Sequence, residues 1–179
     1  MSGASTQATR IARGKADAEK IFPILKEKFG DGIVEENVDG IDPFIVVDKK
    51  IVLELAEFLK TEEELSFDLL SLISGVDYLP KDDAEGRIEV VYFLDSTKHY
   101  HRLMVKVSLP RDDASLPSVE NVWSAADWHE RETFDLVGVV FEGHHKLIRI
   151  LCAEDWEGHP LRKDYVIPEQ YHGIKNIVY

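Results

Sequence analysis

RIEVVYFLDSTKHYHRLMVKVSL, residues 87–109, is the stretch on which the fold turns. Ile88, Val90, Tyr92 and Leu94 alternate with the other face of one strand. His101, Leu103, Val105, Val107 and Leu109 repeat that pattern in the next. Period-two alternation predicts two half-buried strands, and Asp95–Tyr100 links them as a hairpin. Working toward the N-terminus, residues 16–29 place Ala18, Ile21, Phe22, Leu25 and Phe29 at helical spacing, with Pro23 as a kink or restart. Gly30-Asp31-Gly32 ends that helix. Two short strands are predicted near 33–38 and 44–48, with Asp42-Pro43 as the turn between them. A second helix reads from 49 to 60, capped by Asp48 and packed through Ile51, Val52, Leu55, Phe58 and Leu59. Thr61-Glu-Glu-Glu64 has the form of a capping box and predicts a further helical turn. Phe67–Tyr78 reads as a short helix leading into a short strand.

Toward the C-terminus, Pro110 and Pro117 bound a loop containing Arg111-Asp-Asp-Ala114. A third helix follows over about 124–137, with Ser124 as its cap. Beyond Val139-Val-Phe141 the texture changes. Residues 144–179 carry Lys146, Arg149, Arg162, Lys163 and Lys175 against Glu154, Asp155, Glu157, Asp164 and Glu169, so they are charge-balanced and lack a long periodic element. The reading is an α+β fold, a two-layer α/β sandwich with a mixed β-sheet, plus an extended C-terminal arm. Residues 1–14 form a flexible, frayed polar N-terminus, 15–143 the α/β domain, and 144–179 an arm that needs a surface to lie on.

Composition narrows the function. The chain has 179 residues and a formal charge of -13, which disfavours nucleic acid because phosphate binding needs a basic surface. The single cysteine, Cys152, supplies neither a disulfide partner nor the several thiolates of an iron–sulfur cluster or a structural zinc site, and it reads as a small core residue. No apolar run approaches the roughly 20 residues that span a bilayer. Gly30-Asp-Gly32-Ile-Val-Glu35 lacks the third glycine of a dinucleotide fingerprint.

The dense polar cluster is Asp127-Trp-His-Glu-Arg-Glu-Thr-Phe-Asp135. On a helix Asp127, Arg131 and Asp135 stack at i, i+4 and i+8. Three readings fit: a solvated helix face, a general acid/base pair from Glu130 or Glu132 beside His129, or a charged interface in which Arg131 pairs with a partner's carboxylates. His99 and His101 share a strand face, and adjacent His144 and His145 make joint metal ligation awkward; solvated or hydrogen-bonded histidines are the expected reading, with a His/carboxylate metal site the alternative, so no metal residue is assigned.

At residues 123–165 the pattern stops being generic. Trp123-x4-Trp128-x-Glu130-Arg131-Glu132-x-x-Asp135-x-x-Gly138-x-x-Phe141-x-Gly143-His144 precedes Leu147-x-Arg149-Ile150-Leu151. Asp155-Trp156-Glu157-Gly158-His159-Pro160-Leu161-Arg162-Lys163-Asp164-Tyr165 follows. This resembles the signature of the 30-kilodalton subunit family of respiratory complex I, the NADH-quinone oxidoreductase. Phe67-x-Leu69-Leu70, Val76-Asp77-Tyr78 and the hairpin also look like that family, so the likeness spans residues 20 to 168. Two departures occur: the family usually has Gly-His-Pro at Gly143-His144-His145, and two adjacent basic residues at Ile148-Arg149.

The resemblance implies a non-catalytic structural subunit of the peripheral arm of a proton-translocating NADH:quinone oxidoreductase. It implies no catalytic, cofactor-binding or metal-binding residue in this chain, with FMN, iron–sulfur clusters and quinone in partner subunits. It implies complex I subunits D, B and I as partners, and a peripheral place on the cytoplasmic side of the inner membrane, or the matrix or stroma side of an organelle. The signature residues carrying a structural or interface role are Glu130, Arg131, Glu132, Asp135, His144, Arg149, His159, Pro160, Arg162, Lys163, Asp164 and Tyr165. Similar subunits of membrane-bound hydrogenases and F420H2 dehydrogenases are the near alternative, and a carboxylate-dependent hydrolase the distant one.

Overall fold

The structure, a computed structural model, describes residues 2–39, 42–81 and 84–175. The hairpin that opened the reading forms the middle of a sheet. β4 (Arg87–Asp95) and β5 (Arg102–Pro110) pair antiparallel over their whole length. β3 (Leu69–Tyr78) adds antiparallel to β4, and β2 (Phe44–Val47) runs parallel beside β5. β1 (Ile33–Asn37) closes the other edge, so the order is β1-β2-β5-β4-β3 and the sheet is mixed. β6 (Ser115–Pro117) and β7 (Val140–Glu142) make a separate short parallel ladder, and β8 (Gln170–Tyr171) with β9 (Ile174–Lys175) a small hairpin.

Alternation sorts the sheet into two unlike faces. Ile45, Val105, Tyr92 and Ile73 lie in register across four strands, and all are buried. They meet Ala18, Ile21, Phe22 and Leu25 of α1 (Ser2–Phe29) and Val52, Leu55, Ala56 and Leu59 of α2 (Val52–Thr61) in one core. α3 (Ala126–Val137) lies on the same side, against β3. Gly75 is what lets it approach: a Cβ there would sit 3.0 Å from Val137 Cγ1 and 3.1 Å from Thr133 Cγ2. The opposite face carries Leu72, Phe93, Met104 and Phe44 in register, and none of the four is fully buried. Two layers are thus confirmed, with α1, α2 and α3 on one side.

Several expectations change. α1 begins at Ser2, so residues 2–14 continue the helix instead of forming a flexible terminus. Ala8, Arg10, Ala12 and Arg13 are good helix formers, and the Arg13 guanidinium donates to the Tyr100 carbonyl. Pro23 sits within this helix on its exposed side, where water can replace the missing backbone bond. Asp48 does cap its segment by accepting from the Lys50 amide, but the first turn is a 3-10 turn (Lys49–Ile51). Thr61–Glu64 starts no new helix: α2 ends at Thr61, and Glu62 is already extended (ψ 124). Phe67–Tyr78 holds no helix; Leu69–Tyr78 is one ten-residue strand with a register shift between Leu70 and Leu72. That bulge broke the alternation that would have revealed it. The N-cap of α3 is Ala125, not Ser124, and it makes no side-chain cap bond.

Candidate functional site

The C-terminus of α3 faces a general problem: its last carbonyls have no partner within the helix and carry partial negative charge. Gly138 ends the helix in the left-handed region (φ 83), its amide reaching back to Thr133 and Phe134. The chain then runs through β7 and returns over the same helix end. The Asp135 carbonyl accepts from Arg149 Nη1 (3.0 Å) and His159 Nδ1 (3.0 Å). The Leu136 carbonyl accepts from the Leu161 amide (2.9 Å), and the Val137 carbonyl from Arg162 Nε (2.7 Å). Two guanidinium groups therefore lie where the helix dipole favours cations. Gly138 is also the crossing point, since a Cβ there would lie 2.5 Å from the His159 ring.

Two buried carboxylates fasten the returning arm. Asp135, with its side chain 0% exposed, accepts from Arg149 Nη1 at 2.7 Å. Its other oxygen takes three successive amides: Ile150 (3.0 Å), Leu151 (2.7 Å) and Cys152 (2.8 Å). Burial alone would raise its pKa, but the hydrogen bonds from Cys152, Arg149, Leu151 and Ile150 outweigh it and bring the group to about 2. Asp77 on β3, also 0% exposed, is held by Arg111 through Nε (2.7 Å) and Nη2 (2.9 Å). It accepts the Lys163 amide at 2.8 Å, and Arg111 also reaches Asp164 at 2.8 Å. Here too burial is overcome by Arg111 and Lys163, and the carboxyl lies below its ordinary range.

A third carboxylate behaves in the opposite way. Glu130 is fully buried on α3 and accepts from Ser118 Oγ (2.6 Å) and the Val119 amide (2.8 Å), with no cation in contact. Burial dominates and pushes its pKa up to about 7. The Glu-Arg-Glu-x-x-Asp block thus splits. Glu130 and Asp135 point inward, Arg131 rests over the Trp128 ring (5.0 Å) with Nε on the Ile148 carbonyl (3.3 Å), and Glu132 faces solvent. The i, i+4, i+8 stack of Asp127, Arg131 and Asp135 is replaced by the pairing of Asp135 with Arg149, fourteen residues away.

The other signature residues serve the clasp or stand beside it. Arg149, His159, Arg162, Lys163 and Asp164 make the contacts above, Lys163 through its backbone alone. Pro160 is half-buried next to His159, and the Tyr165 ring packs on left-handed Gly158. Burial pushes the His159 imidazole below its usual pKa, in keeping with a ring that donates from Nδ1 to a carbonyl. His144 is buried under the start of α3. Cys152 is half-buried in the arm, not in the core, and burial beside Asp135 raises its thiol pKa. Leu151, Leu161, Val166 and Ile167, by contrast, leave the clasp with exposed apolar side chains. Sequence reasoning missed Arg111 and Ser118 as partners. A lone carboxylate in the apolar stretch Gly75–Tyr78 was the one available signal for Asp77.

The arrangement joins carboxylates to amides and guanidinium groups that are already satisfied. Those contacts tie the C-terminal segment to the end of α3 and to β3. The sequence profile of the family described as respiratory-chain NADH dehydrogenase, 30 Kd subunit, matches residues 45–171. The C subunit of the NADH-quinone oxidoreductase of Chloroherpeton thalassium is 45% identical over 159 residues, which is 88% of this chain and 64% of that one. This chain therefore spans just under two thirds of that relative. Among solved structures, the trypsin-resistant fragment of Nqo5 superposes with a TM-score of 0.58 and 32% identity over 71% of this chain and 98% of the fragment. A chain of the membrane-bound sulfane sulfur reductase, an archaeal respiratory membrane complex, gives 0.69 and 29% over 84% of this chain and 86% of that one.

Proposed function

This chain belongs to the family of the 30-kilodalton subunit of respiratory-chain NADH dehydrogenase, and on that premise we propose that it is a structural subunit of the peripheral arm of a proton-translocating NADH:quinone oxidoreductase. It holds quinone-module neighbours together and performs no redox step itself. Subunits D, B and I are the proposed neighbours, and FMN, iron–sulfur clusters and quinone reside in other subunits. The proposed attachment is peripheral, on the cytoplasmic side of the membrane or its organellar equivalent. No helix among the described residues is long and apolar enough to cross a membrane.

The observation that supports this most is the distribution of uncovered apolar surface. The sheet face opposite the helices exposes Leu69, Leu72, Val76 and Tyr78 on β3, with Phe93, Met104 and Phe44 beside them. The arm adds Leu151, Leu161, Val166 and Ile167. Contiguous surface of this kind marks a protein contact. A tagged chain recovered from mild-detergent membranes is expected to bring with it flavin, iron and NADH:quinone activity, while the chain alone has none. Leu72→Glu on the open face is expected to leave the fold intact and to abolish that recovery. Turnover by the purified chain alone would refute the proposal.

The sulfane sulfur reductase likeness favours one second reading, that the chain serves a related respiratory complex with another electron donor or acceptor, such as a membrane-bound hydrogenase or F420H2 dehydrogenase. Recovery of a hydrogenase or sulfur-reducing activity in place of flavin and NADH oxidation would decide for it.

A further inference from the structure

Away from the clasp, four side chains from three segments converge at the start of α3. Glu120 comes from the loop after β6, Asp127 from the first turn of α3, and His144 and His145 from the turn after β7. One donor atom of each lies within 4.8 Å of all the others. Adjacency was expected to make joint ligation by His144 and His145 awkward. Instead the turn entered through left-handed Gly143 (φ 84) stacks the two rings, 12° apart with centroids at 5.2 Å. His145 Nδ1 lies 2.7 Å from Glu120 Oε2. His144 Nε2 lies 3.5 Å from the same oxygen and 3.4 Å from Asp127 Oδ1.

We propose that Glu120, Asp127, His144 and His145 bind a divalent transition-metal ion of the zinc type. The donor set is the first reason: two imidazoles with two carboxylates suit four-coordinate zinc, whereas calcium and magnesium call for oxygen throughout. Spacing is the second. Ligands about 2.0–2.2 Å from a tetrahedral ion stand roughly 3.3–3.6 Å apart. The two His144 separations already match, and the His145–Glu120 contact needs to open by less than about 1 Å. Electrostatics is the third. Two carboxylates face each other with the His144 side chain 0% exposed between them, and Asp127 Oδ1 is buried without a hydrogen-bond donor among the described residues. A cation answers both conditions.

The tautomer supplies a readout specific to the site. The Lys146 amide donates to His144 Nδ1 (3.0 Å), so the ring proton sits on Nε2, directed at the Asp127 carbonyl (3.2 Å). An ion at Nε2 displaces that proton to solvent, and Nδ1 takes one up from solvent. The ring stays neutral, and the Lys146 amide loses its acceptor. Metal loading therefore remodels the turn 143–146 and staples it to α3 and to the loop after β6.

The test is calorimetric titration of the purified full chain with zinc chloride and with magnesium chloride, with amide NMR spectra of the same samples. The expected result is one equivalent of zinc, no magnesium uptake, and a displaced Lys146 amide signal. His145→Ala, which removes an exposed ring, is expected to weaken zinc binding at least about tenfold and to keep the metal-free melting temperature. His172→Ala, at the separate His172–Asp155 contact, is expected to change nothing. Absence of stoichiometric zinc, an equal affinity in His145→Ala, or an unmoved Lys146 amide would each overturn the proposal. Failure of the subunit reading would leave this test unaffected, because it needs only the chain itself.

Discussion

The α/β domain and the arm are held by different forces. In the domain, Phe67, Phe141, Leu25, Ile45 and Leu55 are fully buried, and their stability comes from apolar area removed from water. In the arm, Leu151, Leu161, Val166 and Ile167 are exposed, and attachment rests on two buried carboxylates, the guanidinium groups of Arg111, Arg149 and Arg162, and a row of amides. Hydrophobic burial is tolerant of detail, whereas a buried ion pair is nearly all or nothing: complete, it roughly balances its desolvation, and broken, it is costly. The domain is thus built to persist and the arm to hold one particular path.

The difference can be broken from either side. Phe67→Ala removes a ring packed 4.6 Å from His101 and is expected to lower stability by about 4 kcal/mol, seen as a fall in the urea midpoint of the whole chain. A loss confined to the arm would contradict the division. Asp135→Ala should cost about 3 kcal/mol and act locally, because it strands Arg149 and three amides. Proteolysis after residue 144 is expected to accelerate while the circular dichroism of the sheet persists. Acid should mimic this variant: the Asp135 carboxyl is lowered from 3.8 to about 2, so its contribution is complete above 3.8 and lost as pH falls through about 2.

Glu130 sharpens the contrast from inside the domain, where a carboxylate has no cation. Its folded pKa of about 7 lies above the ordinary 4.5, so the protonated form is the one that folding favours. Its contribution is complete below 4.5 and lost as pH rises through about 7. Glu130→Gln is expected to remove that dependence and to stabilise the chain above neutrality by on the order of 2 kcal/mol, in denaturant titrations at several pH values. An identical pH profile in the variant would show that Glu130 does not titrate there. Smallest of all, Glu132→Ala should move the melting temperature of the isolated chain by the equivalent of less than about 0.5 kcal/mol, since the side chain faces solvent.

The Glu-Arg-Glu-x-x-Asp block shows where reading the sequence stops. Its helix was legible from period, and its family from resemblance to a known signature. Which acid is buried was not, because α3 presents Glu130 and Asp135 inward only once β6 and the arm are in place. The same limit hid the histidine turn. Adjacency in the sequence made a shared position for the two rings awkward, whereas the turn at left-handed Gly143 stacks them. The long strand Leu69–Tyr78 was missed for a local reason, the bulge that interrupts its alternation.

By itself the sequence determined the two-layer α+β class, the hairpin, the extents of α2 and α3 to within a few residues, the aperiodic arm and the family resemblance. All but the last follow from patterns within a few residues of chain, where period and propensity act; the resemblance rests on motifs spread over residues 123–165. Tertiary structure alone decided the parallel pairing of β2 with β5, the inward turn of three carboxylates and the path of the arm. Those depend on partners brought together over 14 residues for Arg149 and Asp135 and 86 for Lys163 and Asp77, and no local pattern encodes such distances.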